Sequence, residues 1–167
     1  DFPLDIDIFK DSVTLSAGLG ARLGDRGRSF VLITGETVSG AYADRLLEYV
    51  QREAVLRIVL KVNHVSRVYS AERELRRVRP DLIVAVGGGK VADFAKRLAY
   101  IANIPLLLVP TIIANDGLIS PIAVLQDDDG SVSLPGRMPD TVLIDLQAIG
   151  NAPRRYLRSA ACDLITN

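Results

Sequence analysis

Leu82-Ile83-Val84-Ala85-Val86 runs directly into Gly87-Gly88-Gly89-Lys90, and the fold of this chain turns on that junction. An apolar, β-branched run of this length is the mark of a strand buried on both faces. Three glycines then let the backbone come close to a ligand, because no Cβ stands in the way. A helical pattern follows at once, with Val91, Phe94, Ala95, Leu98 and Ile101 on one stripe over Val91–Ala102. The free N–H groups of a first helical turn attract an anion, and the helix dipole adds to the attraction. The junction therefore reads as a phosphate- or nucleotide-binding turn in an α/β domain. It departs from both G-x-G-x-x-G and G-x-x-x-x-G-K-[ST], and a tight turn without a ligand is the competing reading.

Outward from the junction, strands and helices alternate, as βαβ units of a parallel sheet require. Phe30–Thr34 reads as a strand closed by Gly35, and Gly40–Arg52 as a helix with Tyr42, Leu46, Leu47 and Val50 on one stripe. Leu56–Val62 reads as a strand, Val68–Val78 as a helix ended by Pro80, and Pro105–Val109 as another buried strand. The pattern then changes. Ile122–Gln126 and Ser131–Leu134 flank Asp127-Asp128-Asp129-Gly130, a β-hairpin with an acidic turn. Thr141–Ile144 is a further short strand. Pro153 sits where a last helix toward Asn167 would begin. The expected fold is α/β: a Rossmann-like, mostly parallel sheet with helices on both faces, plus a hairpin. Residues 1–150 form the expected dinucleotide-binding domain, and 151–167 the first helix of a second, helical domain that is otherwise missing.

Bulk properties narrow the class. The 167 residues carry 20 basic and 20 acidic side chains, so the net charge is zero. The hydrophobic content of 49% and mean hydropathy of +0.23 suit a well-buried core, and the pI is about 6.8. Nothing here points to nucleic acid or a membrane surface, and the charge run Glu72–Arg79 reads as a solvated helix face. No stretch approaches the roughly 18 apolar residues of a membrane span. The single cysteine, Cys162, excludes an intrachain disulfide and suits a reducing, cytoplasmic setting. The start at Asp1, without Met, and the apolar side of the last helix (Leu157, Ala161, Leu164, Ile165) suggest a piece of something longer. An uncovered helix of that kind predicts self-association, hence a homo-oligomer.

A second segment, Val109-Pro110-Thr111 through Asn115-Asp116-Gly117 to Ser120-Pro121, follows the carboxyl end of the next strand. Ligands of open parallel sheets sit outside those ends. Its small hydroxyl and amide residues suit hydrogen bonds to phosphate, ribose or substrate hydroxyls, or else those of a plain loop with Asp116 as a turn residue. Asp163 reads as a solvated helix carboxylate, His64 as a turn or surface residue, and Cys162 as a small buried residue. Glu36 reads either as an acceptor for a ribose hydroxyl or as a loop residue.

Gly87-Gly88-Gly89-Lys90-Val91-Ala92-Asp93-Phe94-Ala95-Lys96 resembles the G-G-G-[SK]-x-x-D-x-x-K signature of iron-containing alcohol dehydrogenases, glycerol dehydrogenases and their relatives. Val109–Pro121 resembles the V-P-T-x-x-S-x-D-G-x-x-S-P pattern of the sn-glycerol-1-phosphate dehydrogenases. Ala152-Pro153-Arg154-Arg155-Tyr156-Leu157 to Cys162-Asp163-Leu164-Ile165-Thr166-Asn167 is similar to that family's A-P-x-R-L-L…G-D segment. Together these cover residues 30–167 in register.

The resemblance implies an oxidoreductase of NAD or NADP that interconverts dihydroxyacetone phosphate and sn-glycerol 1-phosphate, a small phosphorylated polyol. It implies that Gly89, Lys90, Val91, Ala92 and Asp93 line the cofactor's pyrophosphate, and Gly87 and Gly88 join the cofactor-binding residues from their place in the glycine turn. It implies that Thr111, Ile112, Ile113, Ala114 and Ser120 contact the nicotinamide half, and that Asp116 binds substrate hydroxyls. Asp163 would be one of three protein ligands of a catalytic zinc and would touch substrate, the zinc acting as a Lewis acid on the substrate hydroxyl. Three departures stand out. Ala114 replaces a frequent Ser, Ala160 and Cys162 replace glycines, and the family's two histidine ligands have no counterpart here. One Asp cannot hold such a zinc, so this chain reads as the cofactor-binding half. Glycerol dehydrogenase and dehydroquinate synthase are the neighbouring enzyme readings, although the A-S-V-G-G-K stretch of the latter is missing after Thr111. A non-catalytic nucleotide-binding module and a plain α/β domain are the others.

Overall fold

The strand–glycine–helix junction forms the centre of a six-stranded sheet in a computed structural model, which describes residues 4–24, 28–113 and 116–153. The elements are β1 (Asp5–Phe9), α1 (Ser12–Leu23), β2 (Phe30–Gly35), α2 (Val38–Val50), β3 (Leu56–Leu60), α3 (Val65–Val78), β4 (Leu82–Gly87), α4 (Gly89–Ala102) and β5 (Leu106–Pro110). A 3₁₀ turn (Asp116–Leu118), a hairpin of β6 (Ile122–Asp127) and β7 (Gly130–Pro135), β8 (Thr141–Asp145) and α5 (Leu146–Gly150) complete the described chain. The strand order is β1-β8-β5-β4-β2-β3, and every pairing is parallel. The expected α/β fold, with its parallel sheet and hairpin, is the fold observed.

Strand alternation sends successive residues to opposite faces, and two cores result. Phe30, Leu32, Val84, Val86, Leu107, Val109 and Leu143 pack on one face against Leu15, Leu19 and Leu23 of α1 and Tyr42, Ala43 and Leu46 of α2. Val31, Ile33, Ile83, Ala85, Leu106, Leu108 and Val142 pack on the other against Val68, Ala71 and Leu75 of α3 and Phe94, Ala95 and Leu98 of α4. Both faces of β2, β4 and β5 are therefore covered, which explains their unbroken apolar runs. Asp140 pins β8 beside β5: its carboxylate accepts from Leu106 N–H at 2.8 Å, and its own N–H donates to Leu106 O at 2.8 Å.

Several bounds differ from the reading of the sequence. The helix read from Val68 begins at Val65, because the His64 side chain accepts from Ser66 N–H and caps it. The helix read over Gly40–Arg52 runs Val38–Val50, and Gln51 takes the left-handed conformation that ends it. The strand read to Val62 stops at Leu60. β1, α1 and α5 were not expected. The last helix from Pro153, with Ala160 and Cys162, lies outside the described residues. No described helix is long and apolar enough to cross a membrane.

Candidate functional site

The chain after β2 passes into α2 on one face of the sheet, whereas the chain after β4 passes into α4 on the other. Neighbouring strands whose connections part in this way leave a crevice at their carboxyl ends, the usual ligand site of open α/β sheets. A cleft of about 630 Å³ lies there. Gly35, Glu36 and Thr37 line it from the end of β2, Gly88 from β4, Thr111 and Ile112 from β5, and Asp145 from β8. Tyr42 and Arg45 of α2 close one side, and Gln147 and Asn151 another.

Four of the described helices start at this cleft, and capping distinguishes two of them from α1 and α5. Asp11 caps α1, His64 caps α3 and Asp145 caps α5, each with a side-chain acceptor. The helices α2 and α4 have none, and both begin at the cleft, at Thr37 and Gly88. The first N–H groups of a helix have no acceptor inside it. In α4 those of Val91 and Ala92 both turn back to Gly88 O at 3.0 Å, which leaves the N–H groups of Gly89 and Lys90 facing outward. Lys90 is exposed and forms no ion pair among the described residues.

The glycines differ in function. A Cβ on Gly87 would lie 2.6 Å from Val91 Cγ2, so Gly87 lets α4 start tight against β4. A Cβ on Gly88 would lie 2.8 Å from Ile112 Cδ1, across the floor of the cleft. At Gly89 a Cβ would meet open space. Thr111 N–H donates to Gly87 O at 3.0 Å and holds the two strand ends together.

Of the residues singled out from the sequence, Gly88, Thr111 and Ile112 line the cleft together. Gly87, Gly89 and Lys90 adjoin it. The side chains of Val91 and Ala92 are buried in the α4 core instead. The Asp93 carboxylate faces Lys96 at 2.9 Å rather than the cleft. Ile113 is half-buried outside the lining. The Ser120 hydroxyl bonds the carbonyls of Gly117 and Ile122 at 3.4 Å each. The backbone of Asp116 opens the 3₁₀ turn. Ala114 and Asp163 lie outside the described residues.

Sequence reading missed Tyr42, Arg45 and Asp145 as site residues. The Tyr42 hydroxyl donates to Asp145 Oδ2 at 2.5 Å, while Asp145 Oδ1 accepts from Ala148 N–H at 2.9 Å. Asp145 is 1 % exposed. Burial, reinforced by this carboxylate, pushes the Tyr42 hydroxyl far above the ordinary tyrosine range. The available signal for Asp145 was its place at the carboxyl end of a buried strand. Glu36 lines the cleft and pairs with Lys61 at 3.3 Å. Among the described residues no group of three or more His, Cys, Asp or Glu side chains could hold a metal ion.

The family described as iron-containing alcohol dehydrogenase matches residues 13–153. Glycerol-1-phosphate dehydrogenase [NAD(P)+] of Aeropyrum pernix is 32% identical over 99% of this chain, which covers 47% of that protein. Its namesake from Thermoplasma volcanium is 34% identical over 85% of the chain and 41% of its own length. The chain thus spans less than half the length of these relatives. Among solved structures, an iron-containing alcohol dehydrogenase from Corynebacterium glutamicum superposes with a TM-score of 0.82 at 18% identity, over 97% of this chain and 45% of that one.

Proposed function

Because the chain belongs to the iron-containing alcohol dehydrogenase family, we propose that it forms the dinucleotide-binding half of an NAD(P)-dependent oxidoreductase that interconverts dihydroxyacetone phosphate and sn-glycerol 1-phosphate. The observation that carries the reading is the pair of helix N-termini without side-chain caps that meet at one cleft. The starts of α1 and α5 at the same cleft have side-chain acceptors for a first-turn N–H, whereas these two offer uncapped N–H groups and dipole ends of one sign to an anion. The substrate assignment is supported by the names of the relatives.

The residues fit a dinucleotide. Gly88, Gly89 and Lys90 offer backbone N–H groups and a cation to the pyrophosphate. Glu36 is an acceptor for ribose hydroxyls, an arrangement that favours NAD over a 2′-phosphorylated cofactor. Val38, 79 % exposed beside Glu36, gives an apolar surface for the base. Thr111 and Ile112 bracket the far end, toward the turn of Asp116 and Ser120, where the substrate would lie. When bound, the dinucleotide supplies the hydride chemistry; the protein holds the reacting carbon against it and keeps water away. A zinc bound in part by Asp163 belongs to the same proposal. The described residues form no cluster that could hold a metal, and the zinc's remaining ligands are proposed to lie outside this chain.

The test uses the full-length protein with added zinc. Oxidation of NADH and NADPH is followed with dihydroxyacetone phosphate and, separately, with dihydroxyacetone. Turnover confined to the phosphorylated ketone is expected. A zinc-loaded protein silent with both ketones overturns the substrate assignment, and failure to bind either dinucleotide overturns the whole reading.

A further inference from the structure

Lys96 is fully buried, at 0 % exposure, two turns beyond the glycines on α4. Its ammonium donates to the carbonyls of Gly117 and of Ile122, the latter at 2.5 Å, and lies 2.9 Å from Asp93 Oδ1. An ammonium has three N–H donors and no acceptor, so these partners complete it. The two carbonyls bracket the segment that leads into β6: Gly117 lies in the 3₁₀ turn next to Asp116, and Ile122, two residues after Ser120, is the first residue of β6. The Ser120 hydroxyl lies on the same two carbonyls. The room for this lysine is made by Gly136, where a Cβ would lie 3.1 Å from Lys96 Cβ.

A buried charge is a poor device for stability, because an apolar side chain of similar volume commonly does as well. What the ammonium adds is geometry. Backbone carbonyls of an irregular loop are fixed by a centre that can bond two of them at once. That centre sits on the helix whose first turn faces the cleft, about 9 Å away along the axis. We infer that Lys96 is a positioning residue: it holds the loop carrying Asp116 and Ser120 in register with the dinucleotide end of α4, with Asp93 as its counter-ion. The inference rests on the proposed dinucleotide and substrate sites.

The experiment is Lys96→Met in the full-length protein, with three readouts. Dinucleotide affinity is taken from nicotinamide fluorescence, kcat and KM from turnover of dihydroxyacetone phosphate, and loop order from amide hydrogen exchange of peptides covering 111–122. Dinucleotide Kd should stay within about threefold, because the backbone donors of Gly89 and Lys90 are untouched. kcat/KM should fall roughly 100-fold, the loss that follows a misplacement near 1 Å. Exchange in 111–122 should rise about tenfold while peptides of β4 and β5 hold. Asp93→Asn, which keeps an acceptor but removes the counter-charge, should lower kcat/KM and raise exchange in 111–122 in the same direction as Lys96→Met and by less; no change in either would remove Asp93 from the device. If the methionine variant does not fold, Lys96→Gln, with two N–H donors and no charge, is read in the same way. Unchanged exchange, or a rise in Kd by the same factor as the fall in kcat/KM, overturns the inference. A parent protein inactive on the ketone overturns the functional proposal instead, and the exchange result then decides the role of Lys96 alone.

Discussion

Lys90 and Lys96 lie six residues apart on one helix, and their surroundings are opposite. Lys90 is exposed, without an ion pair among the described residues, beside N–H groups that no described residue accepts. Lys96 is sealed, with every donor engaged. The first turn of α4 is thus left open for something outside the chain, and the second is closed upon the chain itself. Open polar groups at a cleft point to a ligand; satisfied ones inside point to a scaffold.

The largest effect expected from this contrast is on stability. Lys96→Met takes the ammonium away from the carbonyls of Gly117 and Ile122 and removes the partner of Asp93, and should cost about 3 kcal/mol in denaturant unfolding. Lys90→Met should change stability by less than about 0.5 kcal/mol, as exposed substitutions do. The order reverses for binding, where Lys90→Met should weaken the dinucleotide roughly tenfold by losing a charge-assisted contact. Equal stability losses for the two variants would erase the distinction between the turns.

Tyr42 and Asp145 sharpen the contrast, since they form a closed polar pair within the open cleft. Tyr42→Phe leaves Asp145 Oδ2 buried without its donor and should destabilise by about 2 kcal/mol. Asp145→Asn still accepts from Ala148 N–H through its one oxygen, while the amide nitrogen that replaces Oδ2 donates to the Tyr42 hydroxyl, and it should cost less. A melting temperature unchanged in Tyr42→Phe would mean that water replaces the phenol.

How much of this was legible in the sequence follows from the same physics. β2, β4 and β5 are buried on both faces and announce themselves as apolar runs. β1 does not: Asp5-Ile6-Asp7-Ile8-Phe9 is an edge strand, half exposed, whose only partner is β8, from Thr141 onward. α1 was hidden by Gly18 and Gly20, helix-weakening residues; Gly18 is there because Phe9 packs against it. α5 has five residues, too few for a periodic pattern. In the site, the glycine turn and Thr111–Ile112 were visible because each is a local signal after a strand. Tyr42 was read correctly as part of a buried stripe, but its hydroxyl meets a carboxylate 103 residues away, and no local pattern reports that. Asp93 and Lys96 were visible as signature positions. Their contact with each other and with the loop depends on how the 117–122 segment folds back over α4, so only coordinates could show it.

A smaller effect separates the glycines. Gly89 begins α4 with open space where a Cβ would stand. Gly89→Ala should therefore stabilise by about 0.5 kcal/mol, through a less flexible unfolded chain. It should also weaken the dinucleotide about tenfold, because the methyl group would occupy the ligand's approach. A stabilised protein with unaltered dinucleotide affinity would show that the ligand does not approach the backbone at this point.

The smallest expected effect lies between the open and closed extremes, at Asp140. Burial raises the pKa of this carboxyl, but the Arg137 guanidinium and the N–H of Leu106 outweigh burial and hold it below the usual 3.8. A carboxyl depressed in the folded state contributes stability above its unfolded value and loses it as the pH falls through the folded one. The contribution should be complete at pH 5 and above and should fade below pH 3.8. Asp140 is about one-third exposed, so solvent screens the pair. Asp140→Asn, which can still accept from Leu106 N–H, should lower the melting temperature by about 1–2 °C at pH 7. The two proteins should converge as the pH falls below the folded value. A difference that persists undiminished in acid would mean that the side chain acts through the shape of the β5–β8 junction, and that its charge contributes nothing there.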